Sequence, residues 1–269
     1  MSFAARILSN AGVGRDYWRI RLSAPGEFAG VRAGQFVMAR VGGGADPLLR
    51  RPLAVFDAGA RPAEDGGAWF EMLYKVVGKG TALLSARREG EEIDILGPLG
   101  RGFDLGDENE EKLLVGGGVG LAPLHLLASR FIARGAKPRL FAGGRSAGDL
   151  PCLADFERLG VEIHAATEDG SLGARGLVTA PLLEYLDGIA GRAALFACGP
   201  EGMLRAVAGI AAGRGLACQV SLESRMACGV GACLGCVTPG RGHSPGAPNY
   251  RCVCSEGPVF AAGELAWGG

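Results

Sequence analysis

The chain has 269 residues with 28 basic and 28 acidic side chains, so its formal net charge is zero. This length allows two ordinary domains and a smaller unit, and the balanced charge excludes a basic surface for nucleic acid or an anionic membrane. No apolar signal-peptide core stands in the first ten residues, and the most apolar stretch, 113–133, is interrupted by glycine, proline and charge. We therefore expect a cytoplasmic protein with no membrane and no nucleic-acid partner, and its eight cysteines indicate a reducing compartment and metal ligation.

Short segments of alternating apolar and polar residues fill the region from about residue 4 to 100. Examples are Trp18–Leu22, Gln35–Val41, Trp69–Val77 and Glu92–Leu96. Strands of this length between Gly, Pro and Asp turns predict a small antiparallel β barrel. One short helix is expected within 81–88, and the acidic stretch 104–112 predicts a linker.

Two turns in this region are candidates for ligand contact. They consist of Arg50, Arg51, Pro52, Leu53 and Ala54, and of Gly78, Lys79, Gly80 and Thr81. An arginine can bind a diphosphate through two parallel hydrogen bonds, and a glycine turn lets backbone amides approach it. Neither turn is specific alone, because an arginine at the start of a strand is more often a solvated edge residue.

The periodicity changes after residue 112, where an apolar strand leads into a glycine turn and a helix over 121–134. The turn contains Gly116, Gly117, Gly118 and Gly120. Further strand and helix patterns alternate to a strand that ends at Cys198, Gly199 and Pro200. This alternation predicts a parallel, doubly wound sheet that binds ligands at the carboxyl ends of its strands. The G-x-G-x-x-G spacing is absent, and Cys198 could also be an ordinary buried thiol.

Cysteines near the end of the chain have metal-ligand spacing. Cys228, Cys233 and Cys236 form C-x4-C-x2-C with glycines between them, and Cys252 and Cys254 follow. This spacing is typical of plant-type [2Fe–2S] clusters. A zinc site more often uses paired C-x2-C knuckles or histidines, and nothing marks a secreted disulfide set. The spacing therefore favours an iron–sulfur site.

In this order, the barrel, nucleotide sheet and cysteine unit resemble the ferredoxin–NADP reductase superfamily. The segments 223–236 and 253–260 further resemble the electron-transfer subunit of the heterotetrameric, NAD-dependent dihydroorotate dehydrogenases of bacterial pyrimidine synthesis. The resemblance implies an FAD-binding barrel over 1–103, an NAD-binding α/β domain over 111–222 and a [2Fe–2S] module over 223–269. It also implies a partner, the FMN-containing catalytic subunit, in an α2β2 complex.

Carried onto this sequence, the resemblance implies three flavin-contacting segments. They are Arg51 to Ala54, then Leu73, Tyr74 and Lys75, and then Gly80 with Thr81. NAD(H) would bind at Gly116 to Gly120 and at Cys198, Gly199 and Pro200. Ala54 departs from the family, which commonly has a serine facing the flavin N5 atom. The lost hydrogen bond is worth about 0.5–1.5 kcal/mol, so flavin binding should survive.

The context C-S-E-G-P-V-F implies Cys254 as the fourth cluster ligand and leaves Cys252 the weaker candidate. No catalytic residue for dihydroorotate oxidation is implied on this chain. Two other functions remain open: a subunit of another NAD(P)H:ferredoxin or sulfide oxidoreductase complex, and a non-enzymatic iron–sulfur module. Some subunits of those other complexes have aspartate in place of one cluster cysteine. The four available thiols of this chain therefore favour the electron-transfer subunit of dihydroorotate dehydrogenase. Arg145 and Ser146 leave the preference for NAD over NADP undecided.

Overall fold

The computed structural model describes residues 1–42, 44, 46–61, 67–189 and 191–267. Its strands are Ser2–Gly12 (β1), Tyr17–Ala24 (β2), Phe36–Arg40 (β3), Arg51–Ala54 (β4), Asp57–Ala60 (β5), Ala68–Lys75 (β6), Glu92–Leu99 (β7), Glu111–Gly117 (β8), Arg139–Gly144 (β9), Glu162–Thr167 (β10), Ala174–Arg175 (β11), Ala193–Cys198 (β12), Ala217–Ser221 (β13), Val237–Pro239 (β14), Tyr250–Cys252 (β15) and Val259–Ala261 (β16). Its α-helices are Lys79–Ser85 (α1), Leu121–Ala133 (α2), Leu153–Arg158 (α3), Thr179–Gly188 (α4), Glu201–Arg214 (α5) and Val253–Glu256 (α6).

The first seven strands form an antiparallel half-barrel in the order β4-β3-β7-β1-β2-β6-β5. Strand β2 shows why: Ile20 and Leu22 point into the barrel and are buried, whereas Arg19 and Arg21 on the other face are partly exposed. Phe28 stacks on Phe70 inside the curve of the sheet at a centroid distance of 4.4 Å. The predicted antiparallel barrel is confirmed, and β1, β4 and β5 join the strands that the alternation marked.

The second sheet has the order β11-β10-β9-β8-β12-β13-β16. Neighbouring strands from β11 to β13 pair in parallel, as the alternating strand and helix pattern predicted. Its central strands are buried because helices cover the sheet, and α2 alone buries nine of its thirteen residues. Strands β8 and β12 lie side by side, with Gly116 opposite Cys198. The two segments predicted to bind the nucleotide therefore meet at one carboxyl edge.

The cysteine unit is attached to both preceding sheets. Strand β16 extends the nucleotide sheet by pairing antiparallel with β13, and Arg101 N–H, just after β7, donates to the Gly257 carbonyl. Strands β14 and β15 form a separate two-stranded ribbon. The unit predicted over 223–269 thus shares a sheet with the unit before it, and its last two residues, 268 and 269, lie outside the described part.

Barrel and nucleotide sheet are joined by buried contacts. The His125 ring on α2 stacks on Phe56 at 4.3 Å, and Arg19 on β2 donates to Asp155 on α3. Burial lowers the pKa of His125 despite the nearby carboxylates. The two units are therefore held by an apolar contact and an ion pair rather than by a flexible linker alone. Within the described residues, none of the helices has the length and apolarity needed to cross a bilayer.

Candidate functional site

Arg51 opens β4 with a guanidinium group that is available to an anion. Its Nη1 donates to the Leu49 carbonyl at 2.5 Å, and the described residues provide it with no carboxylate partner. Gly80 lies directly against it, because a Cβ at position 80 would overlap the Arg51 side chain. The neighbouring Arg50 differs, since its Nη2 binds Asp94 at 2.5 Å. Arg51 is therefore the arginine of this pair that is free to bind a diphosphate.

Thr81 closes the turn beside Arg51. Its Oγ1 accepts hydrogen bonds from the N–H groups of Val77 and Gly78 and donates to the Gly78 carbonyl. The threonine thus fixes the turn and holds Gly80 against the guanidinium. Val77, whose N–H binds Thr81, is 79% exposed.

The other predicted flavin residues divide into two groups. Pro52, Leu53 and Ala54 are half-buried on β4. On β6, Leu73 and Tyr74 are buried in the barrel, and Tyr74 donates from its hydroxyl to Asn10 Oδ1. Lys75 Nζ lies 3.0 Å from Asp149 in the nucleotide domain. These three β6 residues therefore present backbone, not free side-chain groups, to a ligand at β4.

The glycine turn after β8 and the loop after β12 are packed back to back. A Cβ on Gly120 would lie 2.6 Å from the Cys198 carbonyl carbon, and one on Gly117 would lie 2.8 Å from Pro200 Cδ. Side chains at these positions would separate the two segments, so glycine is required for the close approach. Burial raises the pKa of Cys198 to about 12, so this residue is a neutral thiol at pH 7 rather than a nucleophile.

A cavity of about 440 Å³ opens beside this edge of the sheet. It is lined by Arg15, Asp16, Tyr17, Lys75, Arg145, Ser146, Gly148, Asp149 and Asp169. Asp149 accepts from Lys75 and lies 3.8 Å from Arg145, so two of the three cations in the lining have a carboxylate partner. Its polar lining and its place after β9 suit the ribose of a dinucleotide. The carboxylates of Asp16, Asp149 and Asp169 in the lining disfavour an additional 2′-phosphate.

The cysteine loop directs backbone N–H groups at sulfur. Val230 and Cys233 each donate to Cys228 Sγ at 3.4 Å, and these bonds lower the pKa of Cys228 to about 6. Gly231 N–H donates to Cys254 Sγ at 3.0 Å. The thiolate form that binds iron is therefore favoured at Cys228. The same loop binds sulfurs from both ends of the module, as a cluster between them requires.

The structure brings a set of thiols together that differs from the predicted set. Cys236, Cys252 and Cys254 are buried, and their sulfur atoms lie within 4.8 Å of one another. Cys228 and Cys233 are more exposed and lie outside this group. Strand β15 ends at Cys252 and α6 begins at the next residue, so the two cysteines lie on different elements. Sequence analysis did not foresee that Cys252 would lie so close to Cys236.

The cysteine loop lies directly on the barrel. Gly229 has a φ of +74°, and a Cβ there would be 2.5 Å from Met38 Cγ and 3.3 Å from Leu99 Cδ1. Met38 is fully buried on β3, opposite Pro52 of β4. The cysteine loop thus packs on the strand next to the one that carries Arg51. Met38 was not a predicted site residue, because only the tertiary contact shows its position.

The residues fit the two groups that the fold implies. For an iron–sulfur cluster, thiols and N–H donors converge in one buried pocket. For a flavin, an arginine without a carboxylate partner among the described residues lies against Gly80, whose missing side chain leaves space for the guanidinium. The thiols suit iron, and the guanidinium suits a diphosphate, so the side chains at both sites have the chemistry that their ligands require.

Comparison with known proteins agrees with this arrangement. The sequence model of the iron–sulfur cluster binding domain of dihydroorotate dehydrogenase B matches residues 223–266, and that of the oxidoreductase NAD-binding domain matches residues 114–209. The dihydroorotate dehydrogenase B (NAD(+)) electron transfer subunit of Geobacillus kaustophilus is 42% identical over 239 residues, 86% of each chain. Its counterpart from Shouchella clausii is 39% identical over 265 residues, 96% of each chain.

A solved structure shares almost the whole fold. The NADH-dependent reduced ferredoxin–NADP oxidoreductase, studied for flavin-based electron bifurcation, superposes with a TM-score of 0.82 at 28% identity, over 98% of this chain and 90% of its own. The Amycolatopsis cytochrome P450 reductase GcoB superposes with a TM-score of 0.63 at 26% identity over 80% of this chain and 66% of its own. The sequence identities over most of the chain show that this oxidoreductase subunit belongs to the family of dihydroorotate dehydrogenase B (NAD(+)) electron transfer subunits.

Proposed function

We propose that this chain passes electrons from an FMN-containing dihydroorotate dehydrogenase to NAD⁺ through a [2Fe–2S] cluster and FAD, in pyrimidine (UMP) biosynthesis. One observation carries the proposal: the cysteine loop packs on Met38, one strand away from the β4 residues assigned to the flavin. Two redox groups held at these positions would lie against neighbouring strands of one sheet. A chain that only sensed or stored iron would not need this contact.

The roles of the residues follow from the contacts. Arg51 would bind the FAD diphosphate beside Gly80 and Thr81, while Pro52, Leu53 and Ala54 would border the ring system, and the backbone of Leu73, Tyr74 and Lys75 would lie at its far side. Gly116, Gly117, Gly118 and Gly120 would receive the NAD diphosphate, with Cys198, Gly199 and Pro200 beside the nicotinamide. Cys228, Cys233, Cys236 and Cys254 would ligate the cluster. FAD supplies hydride exchange with the nicotinamide and electron exchange with the cluster.

This chain would hold the groups in place and exclude water, without supplying acid or base. Cys198 remains a neutral thiol, and His125 is buried between the domains. The other two histidines have local partners, His164 with Glu162 and His243 with Asn249. Oxidation of dihydroorotate requires a base at the carbon that loses a proton. We therefore place that step on the partner subunit, in an α2β2 complex.

Exposed apolar side chains on the cysteine loop support a partner at this face. Val230 and Leu234 are 52% and 63% exposed, and Leu234 has a φ of +53°, uncommon for a leucine. A buried interface would cover both residues and bring the partner's redox group close to the cluster. The relatives' description as electron transfer subunits fits such a partner.

The decisive experiment is a reconstitution. NAD⁺ reduction by dihydroorotate is measured with this chain alone, with an FMN-containing dihydroorotate dehydrogenase alone, and with both. Only the mixture should turn over, and Leu234→Asp should weaken the association without changing NADH oxidation by an artificial acceptor. Turnover by this chain alone would refute the assignment of dihydroorotate oxidation to the partner subunit.

The similarity to the NADH-dependent reduced ferredoxin–NADP oxidoreductase supports a second candidate, electron transfer to ferredoxin. The same preparation distinguishes the two functions. Rapid NADH-dependent reduction of ferredoxin, together with no dihydroorotate-dependent activity in the mixture, would favour the second candidate.

A further inference from the structure

Three buried thiols lie within 4.8 Å of one another, although each iron of a [2Fe–2S] cluster takes only two cysteine ligands. In a [2Fe–2S] cluster four cysteines serve two irons, and bridging sulfides fill the remaining positions. Cys228 and Cys233 lie on the exposed side of the loop. The buried iron is therefore left with Cys236, Cys252 and Cys254 as possible ligands.

The spacing of these sulfurs matches ligands of one tetrahedral metal. A tetrahedral ion with metal–sulfur bonds of about 2.3 Å holds its thiolates about 3.8 Å apart. Cys252 Sγ lies 3.7 Å from Cys236 Sγ and 3.7 Å from Cys254 Sγ. Cys252 is thus at ligand spacing from both neighbours.

The fold fixes Cys252 as firmly as it fixes the other two. Its backbone pairs with Val237 in the β14–β15 ribbon, and its N–H donates to a Glu256 carboxylate oxygen at 2.6 Å. The next residue, Val253, donates its N–H to the Cys236 carbonyl at 3.0 Å. The side chain is buried at 7% exposure. A thiol held in this way differs from a mobile surface cysteine that meets the pocket by chance.

We propose that Cys252 is an alternative ligand of the buried iron, which replaces Cys254 there when the Cys254 thiolate is lost. In the exchange, the Cys252 thiol releases its proton to solvent and forms a bond from sulfur to iron. The bond from Cys254 to that iron breaks, and in the intact chain the Cys254 sulfur takes up a proton. The iron does not change oxidation state. The buried iron therefore has three candidate thiolates for two positions, whereas the exposed iron has only Cys228 and Cys233.

The proposal rests on the cluster assignment given under Proposed function. Its test uses alanine variants, because a serine oxygen could itself ligate iron. The full-length variants Cys252→Ala, Cys254→Ala, the double variant and Cys233→Ala are purified without oxygen. Cys218→Ala, on β13, controls for the loss of a thiol elsewhere. Iron and sulfide are measured per chain, reduced samples are examined by electron paramagnetic resonance, and circular dichroism establishes that each variant is folded.

Wild type, Cys218→Ala and Cys252→Ala should each hold about two irons and two sulfides with the same resonance spectrum. Cys254→Ala should keep at least half of that content with shifted g values, because one ligand has changed. The double variant and Cys233→Ala should each fall below a tenth. A folded Cys254→Ala as empty as Cys233→Ala overturns the proposal, and so does a double variant that retains as much as Cys254→Ala. Wild-type protein without iron and sulfide would instead refute the cluster assignment itself.

Discussion

Arg51 and Arg50 are adjacent in sequence, but their substitution by alanine should affect different properties of the protein. Arg51 has no carboxylate partner in the described part of the chain and lies against Gly80. Arg50 binds Asp94 at 2.5 Å and the Asp94 carbonyl at 2.9 Å. The hydrogen bond from Arg50 accordingly lowers the pKa of Asp94. We expect Arg51 to act on ligand binding and Arg50 to act on the barrel.

The magnitudes follow from these surroundings. A hydrogen bond from a charged donor to a phosphate is worth about 1.5–3 kcal/mol, so Arg51→Ala should raise the Kd for FAD by about 10- to 150-fold. Asp94 has 41% of its side chain exposed, so solvent screens its pair with Arg50. Losing that pair should cost about 0.2–1 kcal/mol of unfolding free energy, with little change in FAD affinity.

The assay is titration of flavin-free protein with FAD, followed by quenching of flavin fluorescence, together with urea unfolding of the same variants. Arg50→Ala is the matched control, since it removes the same side chain one residue away. Equal FAD affinity of Arg51→Ala and wild type would refute the assignment of Arg51. A larger loss of affinity in Arg50→Ala than in Arg51→Ala would do the same.

Three further predictions concern the nucleotide domain. Gly120→Ala should force the Cys198 carbonyl away, at a cost of about 1–3 kcal/mol, and should therefore weaken NADH binding about 5- to 150-fold while FAD binding is unchanged. Stopped-flow flavin reduction at varied NADH concentration measures this, and normal NADH binding would contradict the packing argument. Asp149→Ala should release Arg145 for a 2′-phosphate and reduce the preference for NADH over NADPH by about tenfold or more. An unchanged ratio of the two kcat/KM values would show that this cavity does not hold the ribose. His125 has a lowered pKa, so the unfolded chain takes up its proton first as pH falls below 6.5, and stability should decline there by up to about 1.4 kcal/mol per pH unit. Urea unfolding from pH 7.5 to 5 should show a shallower decline in His125→Leu, and an identical slope would rule out this residue.

The sequence by itself determined the features that depend on neighbouring residues. The spacing of Cys228, Cys233 and Cys236 indicated iron ligation, since ligands from one loop must follow each other at set intervals. The alternation over 4–100, and the strand, glycine turn and helix after residue 112, predicted both sheets. These patterns are local, because the direction of a side chain repeats every two residues in a strand and every 3.6 in a helix.

Only the tertiary structure decided which distant residues meet. Lys75 matched a flavin-contacting segment in sequence, yet its amine binds Asp149 across the domain boundary. Met38 belongs to no sequence motif but lies under the cysteine loop. Cys252 was the weaker ligand candidate in the sequence, yet its sulfur lies 3.7 Å from those of both Cys236 and Cys254. Each contact joins residues from separate elements, whose separation depends on how sheets and loops pack. Because no local periodicity encodes that packing, the sequence indicated the chemistry of each site and the fold determined which side chains share it.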